Sequence, residues 1–104
     1  MSSPVHRLVT YRPKQGHLEP LKEILKKHGP TLRKTGLLTD DPVRVYVAQD
    51  LQRHGITEPY LVEEFMWKDA AASDLAHQTP EVMAIWETMG PHVADMTLTT
   101  LSPV

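Results

Sequence analysis

Cysteine is missing from all 104 residues. That removes disulfides, thiolate nucleophiles and thiolate-bound metals. It also fits a reducing compartment, so a cytoplasmic location is expected. No apolar run approaches the ~20 residues of a membrane span. The first residues, MSSPVHRLVTY, lack a charged region followed by an apolar one, so no signal peptide is expected. Positive charge is not in excess. The formal net charge of −2 with His neutral argues against nucleic acid or an anionic membrane as partner, because both favour a basic stripe. The G-x-G-x-x-G, Walker, G-x-S-x-G and H-E-x-x-H motifs are absent, and no cofactor is expected. His6, His17, His54 and His92 show no local metal spacing, so no metal site is expected either. Aromatic residues are few, with one Phe, three Tyr and two Trp.

What aromatic content there is gathers in one stretch. Tyr60 to His92 holds both tryptophans, the only phenylalanine and three of the five methionines. If the protein has a pocket, this segment should line much of it. The remainder reads as scaffold. A single domain over 1–104 is expected, marginal enough in size to gain from pairing with a second copy. Residues 5–12 alternate as a strand. Leu18, Leu21, Leu25, His28 and Leu32 recur at helical spacing over 18–35, with Pro20 tolerable in the first turn and Gly36 placed to end the helix. Gly29-Pro30 should kink or interrupt it. Residues 43–48 form a second strand, 49–59 a polar connection, and 60–68 a third strand. Asp69 can cap a short helix, Thr79-Pro80-Glu81 opens another, and 93–101 is a fourth strand. The order βαββ(α)αβ predicts an α+β, ferredoxin-like domain with a four-stranded antiparallel sheet and helices on one face. Val43, Val45 and Val47 suggest an apolar open face, and face-to-face dimerisation would cover it.

The third strand is unusual because neither parity is polar. Leu61, Glu63, Phe65 and Trp67 point one way, and Tyr60, Val62, Glu64 and Met66 the other. Glu63 amid Phe and Trp must be paired or have a raised pKa. It is either half of a buried ion pair, with Arg7 or Arg44, or a general base. His77 lies between the two short helices. It is either a satisfied core or capping histidine, or an acid-base group near neutral pH. Trp67 and Trp86 are either core or a platform for a flat ligand. His28 falls on the apolar stripe of the long helix and reads as core or rim.

The run EEFMWKDAAASDLAHQTPEV resembles the antibiotic biosynthesis monooxygenase family of dimeric α+β barrels. In that family an aromatic third strand ends in Trp-x-Asp/Ser-x-x-Ala, followed by an Ala-His pair and a Thr/Ser-Pro helix start. The matching positions are Trp67, Asp69, Ala72, Ala76-His77 and Thr79-Pro80. Many relatives carry Glu two residues before the Trp, where this chain has Phe65. Haem degradation, known in one branch, is not carried over, because that branch has Asn on strand one and this chain has His6 and Arg7. The resemblance implies a homodimeric barrel binding a small apolar or aromatic molecule. One implied activity is cofactor-independent oxygenation of a phenol or quinol. His77 is then the candidate base and Glu63 the next. Tyr11, Arg7 and the Trp86 indole are candidate donors, and Phe65 and Trp67 would flank the ring. The alternative is a non-catalytic dimeric barrel that binds an apolar metabolite or serves a structural or regulatory role.

Overall fold

Apolar residues alternate along the strands and recur every three or four along the long helix. The computed structural model, which describes residues 3–52, 55–56 and 58–104, folds accordingly. In chain order the elements are β1 (Val5–Pro13), α1 (Leu18–Lys34), β2 (Arg44–Ala48), β3 (Leu51–Gln52), β4 (Gly55–Ile56), β5 (Tyr60–Trp67), α2 (Ala72–Ala76), α3 (Pro80–Met89), a 3-10 turn (Gly90–His92) and β6 (Val93–Leu101). The main sheet is antiparallel throughout, in the order β2-β5-β1-β6. This is the ferredoxin-like arrangement, an open α+β sheet with helices on one side. The polar connection expected over 49–59 contains the short β3–β4 ladder. Arg53, His54 and Thr57 lie outside the described residues.

One face of β5 carries the weight of the core. Leu61, Glu63, Phe65 and Trp67 are buried, while Tyr60, Val62, Glu64 and Met66 are half-buried on the open face. Leu21, Leu25 and Leu32 of α1 and Val82 of α3 complete the layer beneath the sheet. Each such side chain contributes roughly 1.5–3 kcal/mol of burial.

Helix α1 runs through Gly29-Pro30 without the interruption expected from the sequence. The Pro30 ring is exposed, and so is Lys26, whose carbonyl loses its helical donor, so water can satisfy it. Gly29 is required by proximity. A Cβ there would lie 3.2 Å from Val43 Cβ. Gly36 ends the helix at φ +74°, a backbone state that costs glycine little.

The valine row needs correcting. Val45 sits opposite Glu63 and Val47 opposite Leu61, so both belong to the helix-facing side rather than the open one. They are 41% and 55% exposed because β2 is an edge strand beyond the cover of the helices. Alternation fixes which residues share a face. The larger apolar mass on β5 decides which face is buried. The open face is instead mixed. Glu64 lies between His6 (3.5 Å) and Arg44 (3.7 Å), and Arg12 stacks 4.2 Å over the Tyr60 ring.

Candidate functional site

A cavity of about 460 Å³ opens between the helix-facing side of the sheet and the helices. Strand β1 supplies Arg7, Val9 and Tyr11, and β5 supplies Phe65 and Trp67. Helix α2 contributes Ser73, and His77 follows at its C-terminal end; α3 contributes Trp86 and Met89. His28 of α1 also reaches it. On β6, Met96 and Leu98 line the cavity yet are 52% and 59% exposed, so the mouth faces that edge of the sheet. Phe65 and Trp67 meet edge to face, 4.9 Å between ring centres, which holds both rings in one orientation. Six of the seven residues singled out from the sequence therefore line one cavity: Arg7, Tyr11, Phe65, Trp67, His77 and Trp86.

Glu63, the seventh, lies behind the wall. It is fully buried, and its partner is not Arg7 or Arg44 as expected. Arg7 donates to Thr100 Oγ1 at 3.1 Å, and Arg44 reaches Glu64 on the other side of the sheet. Glu63 Oε1 instead accepts the Tyr11 hydroxyl at 2.8 Å, and His28 Nδ1 lies 2.9 and 2.8 Å from the two carboxylate oxygens. The reason is positional. Arg44 lies one residue out of phase, on the open face, whereas Tyr11 and His28 both point into the core beside Glu63. The chain of bonds continues outward, with the Trp86 indole N–H donating to His28 Nε2 at 2.8 Å. An indole N–H can only donate, so His28 Nε2 is bare and Nδ1 carries the proton that goes to Glu63. Every polar atom in this buried line is paired, which is what makes it tolerable in an apolar core. Burial, reinforced by the Glu63 charge and hydrogen bond, pushes the Tyr11 phenol well above its ordinary pKa. His28 was read from the sequence only as core or rim. A polar residue in phase with the leucines of α1 was the available signal, but its partners are 35 and 58 residues away in sequence.

His77 occupies a different setting. It follows the last residue of α2, is exposed at the cavity, and its Nδ1 lies 2.8 Å from the Ser73 carbonyl. A carbonyl only accepts, so Nδ1 holds the hydrogen and Nε2 is left with a free lone pair. The imidazole lies 4.7 Å from the Trp86 ring centre. Neither expected cap acts as a simple side-chain cap. Asp69 Oδ1 accepts from the Ala71 N–H at 3.0 Å, forming the turn ahead of α2. Thr79 Oγ1 turns back to the Leu75 carbonyl at 3.0 Å and ties α3 to α2. The Thr79 bond thus holds the two short helices, and with them His77 and Trp86, against each other.

No family model and no curated protein matches the chain. Solved structures do. A Bacteroides thetaiotaomicron protein classed provisionally as an antibiotic biosynthesis monooxygenase is 16% identical, with a TM-score of 0.69 over 98% of this chain and 90% of its own. A dimeric ferredoxin-like protein of unknown function from Thermobifida fusca is 11% identical, with a TM-score of 0.70 over 99% and 93%. A third, from B. thetaiotaomicron and suggested to be an oxidoreductase, is 15% identical, with a TM-score of 0.73 over 97% and 98%. At such identities the likeness establishes the ferredoxin-like fold along the whole chain and leaves activity to the site itself.

Proposed function

We propose that this chain is a homodimeric small-molecule protein of the monooxygenase-like kind, acting in the cytoplasm as a cofactor-independent oxygenase of a phenol- or quinol-type substrate. The observation that carries the reading is His77. It is an imidazole with one tautomer held by a backbone carbonyl and a free Nε2 at an aromatic cavity, which suits a general base. In this scheme Nε2 takes the substrate hydroxyl proton, and Phe65, Trp67 and Trp86 flank the ring. The electron-rich anion then reduces oxygen directly. The intermediate hydroperoxide collapses with loss of water, so a ring CH₂ (present as its enol) and O₂ become C=O and H₂O. An apolar, largely dry cavity favours this chemistry by leaving the anion poorly solvated.

A second reading, ligand binding without turnover, is supported by the buried hydrogen bonds. Tyr11 and Trp86 already donate to Glu63 and His28, so neither is free to stabilise a substrate anion as the sequence suggested. Oxygen uptake by metal-stripped, flavin-free protein across anthrones and hydroquinones separates the two. Turnover falling ~10²–10⁴-fold in His77→Ala supports the base. Turnover undiminished in that variant removes His77 from the role. No turnover by the wild type on any member selects the binding reading.

A further inference from the structure

Most hydrogen-bonding atoms around the cavity are already paired, and the few that are not define what a ligand must present. The Tyr11 hydroxyl, the Trp86 N–H and both nitrogens of His28 belong to the Glu63 network. Nδ1 of His77 belongs to Ser73. Beside the Trp67 indole N–H, which has no acceptor among the described residues, three functions remain. Two lie together at α2: the hydroxyl of Ser73 within it and Nε2 of His77 just past its end, four residues apart. The third is the guanidinium of Arg7 on β1, half-buried at the cavity wall. Its only hydrogen bond among the described residues goes to the neutral Thr100 hydroxyl. Arg12 and Arg44 each lie against a carboxylate, and Arg33 against the carbonyls of Thr39 and Asp41. Arg7 is therefore the described arginine that faces the cavity with no anion or carbonyl upon it. Between these two ends the surface is aromatic and aliphatic.

We infer that the ligand is a bifunctional aromatic acid, with a carboxylate held by Arg7, a hydroxyl directed to His77 and Ser73, and a planar apolar body between them. The guanidinium fork matches the two oxygens of a carboxylate. A monoanion is preferred over a phosphate because the lining offers one fixed cation, and a second negative charge would enter an apolar cavity uncompensated. The hydroxyl arm rests on the reading of His77 given above; the carboxylate arm stands on Arg7 alone.

Calorimetric titration with four probes tests it: 6-hydroxy-2-naphthoic acid, its methyl ester, 2-naphthoic acid and 2-naphthol. The acid should bind about tenfold or more tightly than its ester, the scale of a charge-assisted contact. Arg7→Gln should bring the two within about twofold and leave 2-naphthol binding unchanged. Arg7→Lys should retain part of the preference, because the charge remains but the fork is lost. An acid that binds no tighter than its ester overturns the inference. So does a preference that survives Arg7→Gln, or failure of all four probes to bind. Acid preference without oxygen uptake would overturn the oxygenase reading and leave the carboxylate arm standing. Uptake with neutral hydroquinones and no acid preference would do the reverse.

Discussion

Tyr11→Phe isolates one bond in the core with little change of shape. The ring is 2% exposed, and its hydroxyl donates to Glu63 at 2.8 Å. Phenylalanine keeps the ring, so packing loss is small. What goes is one of the two donors that make the Glu63 carboxylate tolerable in the core. A hydrogen bond to a charged group contributes ~1.5–3 kcal/mol, and that loss should appear in urea melts at pH 7. The variant should also change the alkaline limb. In the native protein, burial and then Glu63 push the Tyr11 pKa well above its usual value, so the folded state keeps this proton after the unfolded chain has lost it. The contribution is fully present below about pH 10. It falls by about 1.4 kcal/mol per pH unit as pH rises from there toward the folded-state value. Tyr11→Phe removes that slope. Absorbance titration should likewise show one of the three tyrosines un-ionised until the wild type unfolds. A loss below about 0.5 kcal/mol at pH 7, with an unchanged alkaline slope, would refute the buried hydrogen bond as described.

Four further outcomes can be checked alongside. Trp86 is half-buried at the cavity and bonded to His28, so Trp86→Ala should cost about 2–3 kcal/mol in denaturant melts, below the full core value of roughly 3–5. Trp86→Phe keeps most of the packing and should cost about 1 kcal/mol, because it strands His28 Nε2. Gly29→Ala gains helix propensity but meets Val43 at 3.2 Å, so a net loss of about 1 kcal/mol is expected, relieved in a Val43→Ala background. Sedimentation equilibrium at micromolar concentration should give a dimer; a monomer throughout would remove the assembly from the proposal.

Most of the fold was legible in the sequence, because periodicity is local. The helix over 18–34, the strand over 60–67 and the Thr79-Pro80 helix start all declare themselves within a few residues of their own boundaries. What failed was what depends on the third dimension. The valines of β2 share a face by alternation, but only the mass on β5 says which face. Pro30 reads as a helix breaker, yet it is harmless where its lost hydrogen bond meets water. Most of the candidate cavity was also legible, since an aromatic strand followed by two short helices concentrates it in one segment. The Glu63–His28–Trp86 line was not. Each member looked like an isolated polar residue on an apolar stripe, and their pairing needs three elements to meet.

The hydrogen bond from His77 to the Ser73 carbonyl has an evolutionary corollary. Its acceptor belongs to the backbone, so replacing the Ser73 side chain leaves it in place. Point mutation can delete the imidazole, but it cannot easily rotate the ring or exchange its tautomer while α2 persists. The neighbouring Glu63 network is the opposite case, built from four side chains, each of which one codon change can remove. Within a few ångströms the protein thus joins a mutationally rigid fixture to a mutable one. Drift and selection in this cavity should act by reshaping the wall of Tyr11, His28 and Trp86 around a histidine that keeps its orientation.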